Sequence, residues 1–197
     1  LSEPEVWIID ETSFPKAGEH SVGVTRQYCG ALGKIANCQV AVSLHWAGAE
    51  SSCPISWRLY LPREWIDDPK RSQEVKLPAD VTYRTKTELA LELLDQALKW
   101  GLPSLPVAAD SFYGDNFDFR AALRQRGLSY AVAVEPHTVV WTQDPNLIPL
   151  PKPHGQGRPR RFPPLESMPK PRNLKEVAAS LPASAWQTLT WRRGSKG

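Results

Sequence analysis

Residues 6–12 read Val6-Trp7-Ile8-Ile9-Asp10-Glu11-Thr12, an apolar run that ends in two acids. A short continuous apolar run, rich in β-branched residues, is typical of a buried strand. A carboxylate at the end of such a strand is costly to bury without a partner. In open α/β sheets, ligands bind just outside the carboxyl ends of the strands. Asp10 is therefore a candidate for chemistry at a strand end.

A second stretch, Leu105-Pro106-Val107-Ala108-Ala109-Asp110, repeats the pattern of an apolar strand that ends in an aspartate. For either aspartate alone, the simpler interpretation is a side chain that caps the turn or helix after its strand. For both together, a shared ligand is the better interpretation, provided that the two strands are neighbours in one sheet.

The composition is that of an ordinary soluble protein. The chain has 197 residues, of which 41% are hydrophobic and 23% charged, enough for one domain and an appendage. No apolar run approaches the roughly 20 residues of a membrane span, and the acidic, polar start is not a signal peptide. Since residue 1 is not Met and the first strand follows within a few residues, we expect a piece of a longer protein.

The three cysteines, Cys29, Cys38 and Cys53, form no C-x-x-C pair. Without a secretory signal, they are interpreted as free thiols in a reducing compartment, most simply as small buried hydrophobes. The four histidines are scattered without ligand spacing, so no zinc site is predicted. These features favour a cytoplasmic protein.

Charge is distributed unevenly along the chain. Residues 1–150 carry 14 Lys+Arg and 19 Asp+Glu, a net charge of −5, whereas residues 151–197 carry 10 and 2, a net charge of +8. Nine prolines fall between residues 145 and 171, so this part is not expected to build a core. A basic, proline-rich tail on an acidic body is compatible with a polyanionic partner and equally with a solvated loop.

The first part of the chain predicts three strands without room for helices between them. After the first strand, residues 37–46 and 55–61 alternate apolar with smaller or polar residues. Residues 11–27 are polar and glycine-bearing, and residues 62–83 are polar and punctuated by prolines, so both predict loops. The three strands are predicted to form an antiparallel meander.

Two helices are predicted further along the chain. Thr85-Lys86-Thr87-Glu88 fits a capping box, and Gly101 ends the helix that it begins. Asp115 is the predicted cap of a second helix over residues 116–126. The core-facing side of the first helix is predicted from its leucine spacing to be Leu91, Leu94 and Leu98.

The predicted element order is α/β, namely β-β-β-α-β-α-β, because a last strand follows over residues 130–134. This order resembles the ribonuclease-H-like fold, a mixed sheet with helices on its faces in which the first and fourth strands lie side by side. Residues 1–135 would form this core. Residues 136–197 would be a linker and the beginning of an inserted region, with one or two helical turns over residues 173–181 and a strand from residue 185 to 192.

In that fold Asp10 lies beside Asp110. Two carboxylates that close repel each other unless a cation lies between them. Mg²⁺ and Mn²⁺ are hard ions that prefer oxygen ligands. A pair of such ions activates a water or hydroxyl nucleophile and stabilises the leaving oxygen of a phosphodiester. The sequence therefore predicts a two-metal site for phosphodiester chemistry.

The chain resembles the DDE transposases of bacterial insertion sequences, in the DDE superfamily endonuclease group, from about residue 7 to residue 134. The resemblance implies that Asp10 and Asp110 are the first two catalytic, metal-binding acids of a two-metal Mg²⁺ (or Mn²⁺) site. It also implies double-stranded DNA at transposon ends and targets as the substrate, action as a homo-oligomer near the nucleoid, and no small-molecule cofactor. The residues that carry it are Ile9-Asp10-Glu11-Thr12-Ser13-Phe14-Pro15-Lys16-Ala17-Gly18, Ser21-Val22-Gly23-Val24, Arg26-Gln27-Tyr28-Cys29-Gly30, Gly33-Lys34, Asn37-Cys38-Gln39 and Ala109-Asp110-Ser111-Phe112-Tyr113-Gly114-Asp115.

The third catalytic acid of that family is a Glu in the signature Tyr-x-x-Arg-x-x-x-Glu-x-x-x-x-x-x-Lys, after an inserted, largely β region. No such signature occurs here, and Glu166 and Glu176 lie in a different context. We therefore expect an internal fragment or a truncated product of a transposase, inactive on its own.

Several residues are candidates for DNA contact or for a role beside the acids. Lys16, Arg26 and Lys34 flank the first acid and could contact phosphates, with a solvated loop as the alternative. Arginine matches phosphate geometry, so Arg158, Arg160 and Arg161 are further candidates. Glu11 points to the opposite side from Asp10 and is expected to be noncatalytic. Tyr113 is compatible with a role near the site and equally with turn packing.

Two other functions are compatible with the sequence. One is a truncated remnant that binds DNA, or a full-length partner, without cutting. The other is a phosphohydrolase with Asp10 as the nucleophile, but that chemistry requires a second Asp two residues later, where Thr12 stands.

Overall fold

The computed structural model describes residues 3–144 and 169–188. The chain divides into two compact units, Leu1–Ala133 and Val134–Gly197. Within the described ranges, no helix is long and apolar enough to cross a membrane. The first unit contains the candidate aspartates.

The first unit opens with four strands, one more than the sequence predicts. Residues 25–29, in the segment predicted as a loop, form a strand because they pair with the start of the third strand across a hairpin. Gly33 forms the turn with a φ of +63°, in the left-handed region that favours glycine. The strands are β1 (Pro4–Pro15), β2 (Thr25–Cys29), β3 (Lys34–Gly48) and β4 (Ser52–Leu59).

β3 is the centre of this antiparallel group and pairs with β1, β2 and β4. The remaining elements of the first unit bring two parallel strands to the other side of β1, which gives the sheet order β2-β3-β1-β5-β6 with β4 also paired to β3. The two parallel strands are β5 (Val107–Ala109) and β6 (Tyr130–Val132), and the helices α4 (Ser111–Gly114) and α5 (Phe117–Gln125) lie between them along the chain.

Residues 62–83 are not the simple loop that their prolines predict. They contain two short helices, α1 (Arg63–Ile66) and α2 (Pro69–Glu74). The Asp68 side chain caps α2, and Pro69 occupies its first position, where a missing N–H is tolerated. Asp68 and Pro69, within the segment predicted as a loop, therefore form a helix start.

α3 (Lys86–Lys99) begins and ends where the sequence predicts. Thr85 Oγ1 accepts from the Glu88 N–H, and Glu88 Oε2 accepts from the Thr85 N–H. The predicted core-facing leucines all contact the core: Leu94 is fully buried, and Leu91 and Leu98 are partly buried at the margin of the face. The buried residues are Leu89, Ala90, Leu93, Leu94 and Ala97.

The cap of α5 also differs from the prediction. Asn116, not Asp115, is the capping residue, because its Oδ1 accepts from the Phe119 N–H at 2.8 Å. Phe119 and Leu123 are the buried residues of this helix.

The sheet has two unlike faces. Trp7 and Ile9 of β1, with Val42 and Leu44 of β3, pack against α3 and α5 in the main core. We call the other side the acid face; it carries the even-numbered residues of β1 from Ile8 to Phe14 and the residues in register with them. Among these register neighbours and strand-end residues are Tyr28, Ile35, Ser43, His45, Trp57, Leu59 and Asp110.

The cysteines are free, as the sequence predicts. Cys29 and Cys38 are buried in a smaller cluster with Val40, on the helix-facing side of the sheet. Burial is the main reason that the pKa of Cys38 is raised to about 11. Cys53 is partly exposed.

The second unit has little regular structure in its described part. β7 (Val139–Val140) pairs antiparallel with β8 (Arg172–Asn173), and α6 (Leu174–Ser180) follows where a short helix was predicted. The strand predicted from residue 185 does not begin there, because residues 183–185 form a 3-10 turn and no pairing partner is present for residues 186–188 among the described residues. The rest of that predicted strand lies outside the described residues.

Candidate active site

The strand that the sequence predicts to end at Asp10 continues to Pro15, because it stays paired with β3. Asp10 and Asp110 instead lie where the parallel pairing of β1 with β5 ends. The register pairs Ile9 of β1 with Ala109 of β5, and each aspartate is the next residue. Both aspartates are exposed. The backbone therefore brings the two carboxylates to one edge of the acid face.

Each carboxylate is held by a local backbone bond. Asp10 Oδ1 accepts from the N–H of Glu11 at 2.7 Å, and Asp110 Oδ1 accepts from the N–H of Phe112 at 3.0 Å. The second bond caps α4, so the capping interpretation holds for Asp110. Capping is compatible with a metal-ligand role for Asp110, because the bond uses one carboxylate oxygen and orients the carboxylate at the end of β5.

Two polar residues beside Asp10 were not selected from the sequence. Ser43 Oγ donates to the backbone carbonyl oxygen of Asp10 at 3.2 Å, and lies 3.1 Å from His45 Nε2. The His45 ring packs against Trp57 with 6.1 Å between centroids. The sequence contains a signal for both residues. Ser43 and His45 are polar positions in an alternating strand, and alternation places them on the same face as Asp10.

Glu11 points to the helix-facing side, as alternation predicts. Its Oε2 accepts from Lys86 Nζ at 2.6 Å, and its Oε1 accepts from the Tyr113 hydroxyl at 3.3 Å. Tyr113 is fully buried. Burial, and next the negative charge of Glu11, raise the pKa of Tyr113 far above its ordinary range, so the hydroxyl keeps its proton as a donor.

The predicted phosphate-contact residues divide into two groups. Lys16, Arg26 and Lys34 are exposed around the β2–β3 hairpin. Arg26 lies on the acid face, whereas Lys34 pairs with Cys29 and lies on the other. The second group, Arg158, Arg160 and Arg161, lies outside the described residues.

The carboxylates of Asp10 and Asp110 suit a hard divalent cation, but the described residues do not provide a complete set of metal ligands. Asp10 and Asp110 supply exposed carboxylate oxygens at adjacent positions, which is the ligand chemistry that Mg²⁺ and Mn²⁺ prefer. Among residues 3–144 and 169–188, no group of three or more His, Cys, Asp or Glu residues could hold a metal ion.

A cleft elsewhere in the first unit is not lined by Asp10 or Asp110. Its volume is about 380 Å³, and its lining includes Arg58, Asp80, Arg84 and Glu92. Opposite charges share this lining, and Arg84 is paired with Glu92 at 3.0 Å. Asp10 and Asp110 instead lie on the acid face, where both are exposed and accessible to a large substrate.

Comparisons with known proteins identify a family and a relative of this chain. A family model described as DDE superfamily endonuclease matches residues 1–197. The chain is 36% identical over 132 residues to the probable transposase for insertion sequence element IS701 of Microchaete diplosiphon. That match covers 66% of this chain and 32% of the relative, so the chain spans about a third of the relative's length. No solved structure matches the chain.

Proposed function

The chain belongs to the DDE superfamily endonuclease family, and from this premise we propose that it is part of a transposase in which Asp10 and Asp110 act in metal-dependent DNA cleavage and strand transfer. The observation that carries the proposal is the parallel pairing of β1 with β5, which leaves both aspartates at one edge. The mixed sheet supports a ribonuclease-H-like core over residues 1–135. We assign residues 136–197 to a linker and the start of an inserted region.

Asp10 and Asp110 would hold Mg²⁺ or Mn²⁺. When bound, a pair of these ions supplies Lewis-acid chemistry to a water or 3′-hydroxyl nucleophile and to the leaving oxygen of a phosphodiester. The contribution of the chain is to fix the two carboxylates, each through a backbone N–H on its Oδ1. We propose that these are two of three catalytic acids, and that this chain alone does not cut DNA.

The β2–β3 hairpin supports contact with DNA. Between residues 20 and 49 the sequence contains no acid, whereas Arg26 and Lys34 are exposed. Tyr28 and Ile35 form an exposed cross-strand pair beside Arg26, on the acid face. Arg26 as a cation for phosphate beside the exposed Tyr28 ring is suited to a nucleic acid that runs along the face on which Asp10 lies. Action on paired transposon ends would require a homo-oligomer.

A second function has a specific observation in its favour. Within the described residues, no third ligand joins the two aspartates. A remnant that binds DNA or a full-length partner without cutting would need only the hairpin and its cations. The two proposals differ in whether the aspartates matter for cleavage once the missing acid is supplied.

The test is Mn²⁺-dependent nicking of a labelled DNA duplex by this chain and by a longer form that continues to a Glu-bearing helix. We expect nicking by the longer form only, reduced at least about 100-fold by Asp10→Ala and by Asp110→Ala, since each removes a catalytic ligand. Asp118→Ala, at an exposed acid of α5, is the matched control and should nick normally. Nicking that survives loss of both aspartates would exclude the catalytic assignment.

A further inference from the structure

One carboxylate joins three separate elements directly beneath the two aspartates. Glu11 is in β1, Lys86 is the first residue of α3, and Tyr113 is in α4, which follows Asp110. The two oxygens of Glu11 accept from Lys86 Nζ at 2.6 Å and from the Tyr113 hydroxyl at 3.3 Å. The segment that carries Asp10 is thereby bonded to the segment that carries Asp110.

This link lies where backbone pairing between the two segments stops. The β1–β5 register ends at Ile9 and Ala109, one residue before each aspartate. Beyond that point, the bond between Glu11 and Tyr113 is a direct side-chain connection from one segment to the other. The bond therefore connects the segments of Asp10 and Asp110 beyond their last paired residues.

The partners of Glu11 are themselves held firmly. Tyr113 is fully buried, and its ring packs against Phe119 with 5.4 Å between centroids. The ammonium of Lys86 also lies 5.2 Å from the centroid of the Phe112 ring. The Lys86 and Glu11 side chains are only 19% and 24% exposed, against 50% and 45% for the Arg84–Glu92 pair beside the same helix. Shielding from solvent makes the first pair the more ordered of the two.

We propose that Glu11, together with Tyr113 and Lys86, is a positioning unit that sets the spacing of Asp10 and Asp110 for a shared divalent cation. Cation ligands must meet within a few tenths of an ångström, and groups that orient the ligands commonly change metal affinity by about 10–100-fold. The inference rests on the proposed function, since it takes the two aspartates to be ligands of one ion.

The experiment is a titration of the 197-residue chain with Mn²⁺, followed by the electron paramagnetic resonance signal of the free ion. Tyr113→Phe removes one hydroxyl and keeps the packed ring, and Glu11→Gln removes the charge. We expect each to weaken Mn²⁺ binding about 10-fold or more. Glu92→Gln, which breaks the exposed pair by the same chemical change, should bind as the unsubstituted chain does.

Thermal unfolding of each variant separates positioning from folding. We expect Tyr113→Phe to remain folded at the titration temperature, so that its loss of affinity reports geometry. If folded Tyr113→Phe and Glu11→Gln bind Mn²⁺ normally while Asp10→Ala and Asp110→Ala do not, the positioning role is overturned and the metal site stands. If the unsubstituted chain binds no Mn²⁺, or both alanine variants bind normally, the proposed metal site is overturned as well.

Discussion

The two sides of β1 face different surroundings. Toward the helices, Trp7 and Ile9 are buried in the main core. Toward the acid face, Asp10 is exposed, and Trp57 on β4 remains 42% exposed. Residues that alternate along a single strand thus belong to a folding surface and to a candidate functional surface.

The two surfaces should therefore respond to substitution in different ways. On the helix-facing side, close packing means that a lost methyl group lowers the free energy of unfolding. On the acid face, an exposed side chain contributes little to stability, so its loss should appear in binding or cleavage. Glu11 is the exception, since it faces the helices and is inferred to serve the acid face.

The largest expected effect is on stability. Leu93→Ala removes a fully buried side chain of α3 and should lower the free energy of unfolding by about 2–5 kcal/mol. Trp57→Ala, on the acid face, should lower the free energy of unfolding by well under half of the loss in Leu93→Ala. Urea denaturation measures both. Equal losses would mean that the two faces are not distinct.

Gly114 tests how tightly α4 is held beside the aspartates. A Cβ at this position would lie 1.7 Å from the backbone oxygen of Ala133, which cannot move away as a flexible side chain would. Gly114→Ala should destabilise the chain by about 1–3 kcal/mol or more. Gly18→Ala is the control, because a Cβ there meets nothing within 4 Å. Similar melting temperatures for the two variants would show that α4 is free to shift.

A smaller effect is expected from the ion pair between α3 and α5. The hydrogen bond from Arg126 lowers the pKa of Asp95 against the opposing effect of burial. A carboxylate with a depressed pKa stabilises the fold above its unfolded pKa, and this contribution is lost as pH falls through the folded pKa. Asp95→Asn should therefore lower the free energy of unfolding by up to about 1 kcal/mol at pH 7, and by much less at pH 3. A pH-independent loss in urea titrations would argue against charge as the cause.

The smallest effect concerns thiol reactivity and does not require a change in stability. Because burial raises the pKa of Cys38 to about 11 and Cys29 is also buried, both should resist alkylation in the native state. Cys53, which is partly exposed, should be modified first. Mass spectrometry after brief labelling identifies the site, with Cys53→Ser as the control. Early modification of Cys38 would indicate that the helix-facing side opens.

Local signals were predictable from the residues themselves, whereas the long-range pairing of the strands of Asp10 and Asp110 was predicted only through the resemblance to a known fold. The capping box at Thr85 is complete within four residues, so it fixed the start of α3. β2 was missed because its short, mixed pattern becomes a strand only beside β3. The side of β1 occupied by Glu11 follows from alternation, but its partners Lys86 and Tyr113 are 75 and 102 residues away. No spacing rule connects residues at such separations.

The central claim is that Asp10 and Asp110 share one divalent cation. The most direct test replaces that ion with Fe²⁺ and adds ascorbate and peroxide, so that hydroxyl radicals cut the backbone beside the bound iron. We expect cuts near residue 10 and near residue 110, and the loss of both cuts in Asp10→Ala and in Asp110→Ala. Cuts elsewhere, or a cut at one aspartate that survives removal of the other, would show that the two carboxylates do not hold a common ion.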